Sequence, residues 1–177
     1  YEGQRVAALA DAADQSPFDW VFDTLLKTEL DVGMVNFHSS EENRRQEIIH
    51  PALMFGTDGS GLATEGVLSK GVPHPRNYGT FPRVWAHYVR ELDALSLETA
   101  IWKMSGLPAQ KLRWRGRGAV KRGYQADLVV FNPDTVQDMA TYTHPHQYPQ
   151  GIHHVIVNGT LVVHDDAHTR ARPGCIL

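Results

Sequence analysis

The first residue of this chain whose type and position could do chemistry is Asp58. It follows the apolar segment 52–56 and stands directly before Gly59. A carboxylate accepts protons and can also bind a metal ion, so Asp58 could serve as a general base or as a ligand. Asp before Gly is also common in turns, where the side chain only caps the backbone. The residues alone leave both interpretations open.

A second group of polar residues lies in a segment rich in Gly and Pro, which predicts a long loop over 59–79. His74, Arg76 and Tyr78 alternate along its last part. The guanidinium of arginine matches a carboxylate through two parallel hydrogen bonds, and long loops in compact domains are often functional. The alternative is a purely structural loop that Arg76 pins to a backbone or acidic group.

The elements before Asp58 are expected to alternate between helix and strand. Apolar residues at helical spacing predict a helix over 18–30, and a polar helix is expected over 41–49. Apolar runs over 32–37 and 52–56 predict strands. Strand, helix, strand is typical of a parallel βαβ unit, in which ligands bind at the C-terminal ends of the strands. Asp58 would lie at such an end.

The rest of the chain changes from helix to strand. Two helices and two strands are expected, over 81–92, 96–105, 126–131 and 155–163. Gly106 and Pro108 should close the second helix. Asn158-Gly159 is a strong signal for a hairpin turn. The C-terminal part is therefore predicted to be a small β region.

Composition excludes several classes of protein. The 177 residues carry a net charge of −3 and no basic stripe, so nucleic acid is not an expected partner. No long uncharged apolar run is present, so no membrane span is expected. The single cysteine, Cys175, cannot form an internal disulfide, and it lacks a motif for a catalytic role. A reducing cytoplasm fits this composition.

The expected elements do not make a complete sheet. Two parallel strands cannot close a (β/α)₈ barrel, which needs roughly 250 residues, and a single hairpin is only marginally stable by itself. The chain is therefore expected either to be a fragment or to need partner chains that complete its sheets, and the alternative is a compact α+β domain of its own.

Several stretches together resemble the N-acyl-D-amino-acid deacylase (D-aminoacylase) family of the amidohydrolase superfamily. They cover residues 54–59, 74–83, 118–133, 145–152 and 157–159. The Ala-Asp-Leu-Val-Val-Phe run at 126–131 would fit many amidohydrolases, including dihydroorotase-like and hydantoinase-like enzymes. The His-Pro-Arg-Asn-Tyr-Gly-Thr-Phe-Pro-Arg loop at 74–83 is much more specific.

The resemblance implies an α/β fold that is incomplete on its own. Residues 1–112 would be the last portion of a TIM-like (β/α)₈ barrel, and residues 113–177 the C-terminal part of a small β-domain. The chain would need the N-terminal part of the barrel or a partner chain.

The resemblance also implies a zinc-dependent hydrolase that releases a carboxylate and a D-amino acid from an N-acyl-D-amino acid. Asp58 would be the catalytic carboxylate that moves a proton, and Arg76, His74 and Tyr78 would bind the substrate or its loop. Apart from Asp58, the zinc ligands would lie outside this chain. The His144-Pro145-His146 pattern imitates a metal pair, but it falls in the β-domain and is not expected to bind metal. A cyclic amidase and a non-catalytic interaction module remain the alternatives.

Overall fold

The computed structural model describes residues 1–176, which combine helices with one antiparallel sheet. The α-helices are α1 (Val6–Ala12), α2 (Pro17–Lys27), α3 (Glu41–Ile49), α4 (Arg76–Arg83), α5 (Leu97–Ile101) and α6 (Leu107–Lys111), and the strands are β1 (Leu128–Phe131), β2 (Ile152–Val157), β3 (Thr160–His164) and β4 (Ala167–His168). A 3₁₀ turn covers Gly66–Leu68, and π-helical segments cover Val84–Glu91 and Trp102–Gly106. Within this described part, no helix has the length and apolar character needed to cross a membrane.

The chain divides into two compact units, and the first of them spans Tyr1–His38. It contains α1 and α2. The predicted helix near residue 18 is confirmed, because α2 begins at Pro17 and Ser16 caps it by accepting the Asp19 backbone N–H at 3.2 Å. Three large apolar side chains on one face of α2 are exposed: Phe18, Phe22 and Leu26.

The two strands predicted before Asp58 are absent from the described structure, so the βαβ prediction is wrong for this chain. Segments 32–37 and 52–56 have no regular secondary structure. An extended segment becomes a strand only when a neighbouring strand completes its hydrogen bonds, and all four strands lie after residue 127. Segment 52–56 instead lies against the helices, where the Phe55 N–H donates to the Lys103 carbonyl at 3.1 Å.

The helices predicted over 41–49, 81–92 and 96–105 are confirmed in position, but two of their ends differ. The first helix after the loop begins at Arg76 and continues as the π-helical segment Val84–Glu91. The last helix is not closed at Gly106 and Pro108, as predicted, but runs on as α6. Pro108 lies in the first turn of α6, where its missing N–H is tolerated.

A small apolar core lies in the second unit and fixes the chain just before Asp58. The core residues are Ile48, Val84, Tyr88, Leu95 and Ala100, with Phe55 packed against them. The fully buried Lys103 donates from Nζ to the Ile48 carbonyl at 2.7 Å and also contacts the His50 carbonyl. These contacts cap the end of α3 and position the segment that leads to Asp58.

The sheet is an antiparallel meander in the order β1-β2-β3-β4, and the prediction of a small β region in the C-terminal part is confirmed. The predicted hairpin is confirmed, because Asn158 and Gly159 connect β2 to β3 with φ angles of 47° and 79°. Trp85 and Arg90 connect the helices to the β region, donating to the Pro133 and Val136 carbonyls at 2.8 Å each. The domain boundary near residue 112 stays a prediction.

Candidate functional site

Asp58 carries an exposed carboxylate on an unusual backbone conformation. Its side chain is 84% exposed, so the carboxylate faces solvent and not the core. Its φ is 45°, in the left-handed region that few residues other than Gly adopt, although Asp and Asn tolerate it. The structure therefore places Asp58 where its carboxylate can meet a ligand.

Arg76 holds Asp58 at two points. Its Nε donates to the Asp58 backbone carbonyl at 3.0 Å, and one terminal nitrogen lies 2.7 Å from the carboxylate oxygen Oδ2. Arg76 is the first residue of α4, so its backbone is fixed by the helix while its side chain reaches back to Asp58. The two predicted site residues are thus brought together across 18 positions of sequence.

His74 contacts Arg76 of this pair, and its surroundings lower its pKa. Its Nδ1 accepts the Arg76 backbone N–H at 3.0 Å, and its ring meets Tyr142 edge-on with 5.1 Å between ring centroids. Burial lowers the pKa of His74 below its usual 6.5, the positive charges of Arg76 and Arg44 lower the pKa further, and Asp58 opposes them. The environment as a whole disfavours the protonated imidazole.

Asn77 organises the same loop and is not among the residues selected from the sequence. Its Oδ1 accepts the Ser60 N–H at 2.6 Å, and its Nδ2 donates to the His74 carbonyl at 2.7 Å. Gly59 passes so close to Asn77 that an added Cβ would lie 3.3 Å from its Cα. A neutral amide in the first turn of a helix has no motif of its own, so the sequence offers no signal for this role.

Tyr78 uses its hydroxyl for internal contacts. The hydroxyl donates to the Ala63 carbonyl at 2.8 Å and lies 2.8 Å from Nδ1 of His146, whose Nε2 is 2.9 Å from the Gly71 carbonyl. Burial, with a smaller effect of Tyr148, raises the pKa of Tyr78 above its usual 10.0. Tyr78 and His146 therefore join the loop to the β region.

Asp58 stands without companion metal ligands in the described residues. Among residues 1–176, no group of three His, Cys, Asp or Glu side chains is arranged to hold a metal ion. The nearest charged neighbour of the Asp58 carboxylate is instead the Arg76 guanidinium. These residues alone do not fit a complete zinc site, although Asp58 could supply one oxygen ligand.

Comparison with protein families gives a match to the amidohydrolase family over residues 67–163. This range includes His74, Arg76 and Tyr78, and it begins after Asp58. The chain is also 43% identical to a D-aminoacylase from Alcaligenes xylosoxydans xylosoxydans over 145 residues. The aligned part is 82% of this chain but 28% of that relative, so the chain spans less than a third of its length.

Two solved structures are similar to the fold described above. A D-aminoacylase studied for its binuclear metal centre is 40% identical, with a TM-score of 0.81 over 96% of this chain and 33% of that one. An N-acyl-D-glutamate deacylase from Bordetella bronchiseptica, solved with zinc and a phosphonate that mimics the tetrahedral intermediate, is 34% identical. Its TM-score is 0.77 over 90% of this chain and 31% of the deacylase.

Proposed function

This chain belongs to the amidohydrolase family, and we propose that the protein that carries it hydrolyses the amide bond of N-acyl-D-amino acids. The products would be a carboxylate and a free D-amino acid. The observation that carries the proposal is the exposed carboxylate of Asp58, oriented by Arg76 at 2.7 Å. The similarity to a D-aminoacylase and to an N-acyl-D-glutamate deacylase supports the substrate class.

The same proposal includes a larger fold than this chain can form alone. Residues 1–112 would contribute the last portion of a TIM-like barrel, and residues 113–177 would contribute the C-terminal part of a β-domain. Two observations support this: the chain spans 28% of the D-aminoacylase, and the apolar face of α2 exposes Phe18, Phe22 and Leu26 by 78%, 63% and 77%. Exposed apolar stripes of this kind usually pack against another element.

Asp58 is the residue we propose to move the proton. Its carboxylate would take a proton from the attacking water as the oxygen forms a bond to the acyl carbon. It would then return that proton to the nitrogen as the C–N bond breaks, which turns a poor leaving group into a neutral amine. The Asp58 side chain is exposed and is held by Arg76, so its carboxylate is accessible to a substrate in this role.

Zinc is the cofactor we propose for the complete protein. When bound, zinc acidifies a water molecule and polarises the carbonyl group of the substrate. The described residues offer one candidate ligand, the Asp58 carboxylate, and no cluster of three. The other ligands would have to come from parts of the complete protein outside this chain.

His74, Arg76 and Tyr78, which lie at the end of the loop and the start of α4, divide into two roles in this proposal. Arg76 and His74 would bind the substrate, which carries a carboxylate of its own, because Arg76 contacts the Asp58 carboxylate and its backbone N–H holds the His74 ring next to it. Tyr78 would support the loop, because its hydroxyl already contacts the Ala63 carbonyl and His146.

A substrate panel on the complete, zinc-loaded protein tests the proposed activity. We expect release of D-amino acids from N-acetyl-D-amino acids and little turnover of the L enantiomers. Turnover confined to hydantoin or dihydroorotate would identify a cyclic amidase instead. Lack of hydrolysis of every compound in the panel would favour a non-catalytic interaction module.

A further inference from the structure

The hydrogen bond between His74 and Arg76 determines which ring nitrogen of His74 carries the proton. The Arg76 backbone N–H donates to Nδ1 of His74 at 3.0 Å. A nitrogen that accepts a hydrogen bond has no proton, so a neutral ring in this position has its proton on Nε2.

The start of α4 makes this tautomer the stable one. Arg76 is the first residue of the helix, where a backbone N–H has no partner within the helix and must find one elsewhere. If the ring proton moved to Nδ1, two donors would face each other and the Arg76 N–H would lose its acceptor. The Asn77 side chain also donates to the His74 carbonyl at 2.7 Å, which holds the backbone of His74.

The surroundings of the ring favour its neutral form, in which only one of the two nitrogens carries a proton. Burial of the ring is the largest effect that lowers the pKa of His74, followed by the guanidinium groups of Arg76 and Arg44. The Asp58 carboxylate raises the pKa and does not reverse the result. Tyr142 meets the ring edge-on and is the aromatic neighbour from the β region.

We propose that His74 is a positioning and specificity residue whose Nε2–H donates a hydrogen bond to an acceptor oxygen of the bound substrate. Among residues 1–176, Nε2 has no hydrogen-bond partner, and it is not one of the buried side-chain atoms left without one, so this donor is available to a ligand. The carboxylate and the acyl carbonyl of an N-acyl-D-amino acid both present such an oxygen. This inference rests on the proposed function, and it adds the atom, the tautomer and the residue that fixes the tautomer.

Nitrogen NMR of the protein with ¹⁵N-labelled histidine tests the tautomer without any substrate. The signals of His74 are assigned by their loss in His74→Asn. We expect an unprotonated Nδ1 and a protonated Nε2 at a pH above the usual histidine value of 6.5. A protonated Nδ1 under those conditions would overturn the inference, whatever the enzyme activity.

Two substitutions then test the donor separately from the acceptor. His74→Asn keeps an acceptor near the position of Nδ1 but removes the Nε2–H donor. His74→Gln keeps a donor near the position of Nε2 but removes the acceptor at Nδ1. In the complete protein we expect kcat/KM for an N-acetyl-D-amino acid to fall by about tenfold to a hundredfold in His74→Asn, the effect of one hydrogen bond to a charged group. His74→Gln should retain more of the activity.

His168 provides a matched control, because its Nδ1 accepts the Arg170 N–H at 2.9 Å in the same local geometry on β4. His168→Asn should leave kcat/KM unchanged.

A substrate whose carboxylate is replaced by a carboxamide identifies the group that His74 binds. A smaller loss of kcat/KM in His74→Asn with this substrate would identify the carboxylate, and an equal loss would identify the acyl carbonyl. Equal losses in His74→Asn and His74→Gln, or no loss in His74→Asn, would overturn the donor role. If the protein without substitutions hydrolyses no N-acyl-D-amino acid, the proposed function is contradicted instead. The NMR measurement still decides the tautomer of His74 in that case.

Discussion

The guanidinium group of Arg76 contacts both the backbone carbonyl and the side-chain carboxylate of Asp58. The guanidinium Nε donates to the Asp58 carbonyl at 3.0 Å, and a terminal nitrogen of the same group lies 2.7 Å from Oδ2. Because the guanidinium is planar, these two contacts together fix the direction in which the carboxylate points. An exposed aspartate in a loop would otherwise sample several rotamers.

The backbone at Asp58 predicts that Ala and Asn at this position differ in stability. Its φ of 45° is tolerated by Asp and Asn but costs most other residues about 1–2 kcal/mol. Asp58→Ala should therefore lower the free energy of unfolding by about that amount, measured by denaturant titration. Asp58→Asn should lower it less, since the exposed ion pair with Arg76 is worth about 0–1 kcal/mol. Equal destabilisation by the two substitutions would contradict the backbone argument.

The two contacts made by Arg76 predict that lysine cannot replace it. A lysine ammonium is a single point charge and cannot hold the Asp58 carbonyl and carboxylate in the same plane. In the complete protein, Arg76→Lys should reduce kcat/KM about tenfold or more, as expected for the loss of one charge-assisted hydrogen bond. Arg83→Lys is the matched control at the other end of α4, where Arg83 pairs with Asp138 at 3.5 Å. Similar losses in both variants would mean that Arg76 acts only through the helix.

The buried Lys103 predicts a dependence of stability on alkaline pH. Burial lowers the pKa of Lys103 below its usual 10.5, so the unfolded chain binds more protons than the folded chain between the two values. The contribution of Lys103 to stability should therefore rise as the pH increases through this window towards 10.5. Urea titrations of the unchanged protein and of Lys103→Met, at a series of pH values, measure the difference. A difference between the two proteins that stays constant across this pH range would contradict the effect of burial on Lys103.

The contact between Tyr78 and His146 predicts energetic coupling between the loop and the β region. Tyr78→Phe removes a hydroxyl that contacts the Ala63 carbonyl and His146 at 2.8 Å each, and should cost about 1–2 kcal/mol of folding free energy. In a double-mutant cycle with His146→Phe, the two losses should be less than additive by about 0.5 kcal/mol or more. Strict additivity would show that the contact does not contribute to stability.

Local signals in the sequence were sufficient for α2, α3 and the hairpin, but they missed α1 and misplaced one end of each of the two later helices. Helix α3 is defined by Ser40 as its cap and by acids in its first turn, and the β2–β3 turn by Asn158-Gly159, which readily adopts positive φ. The strand prediction for segment 52–56 is wrong for the opposite reason. Its apolar residues allow a strand, but a strand depends on a neighbour that the segment itself cannot specify.

The site was predictable only in part. Asp58 and Arg76 stand out because their side chains carry charge and the resemblance covers both segments, and the structure brings them together. The role of Asn77 and the contact between Tyr78 and His146 were not predictable. The latter two residues are 68 positions apart, and their contact arises from how the β region lies against the loop.

Turnover of N-acetyl-D-amino acids by the complete, zinc-loaded protein with Asp58→Asn tests the central claim most directly. Asn keeps the shape of the side chain and tolerates the left-handed backbone, but it cannot accept and return a proton. We predict a fall in kcat by a factor of about 10²–10⁴, the usual contribution of a general acid–base group, with an unchanged circular dichroism spectrum. Turnover in Asp58→Asn equal to that of the unchanged protein would contradict the assignment of the proton transfer to Asp58.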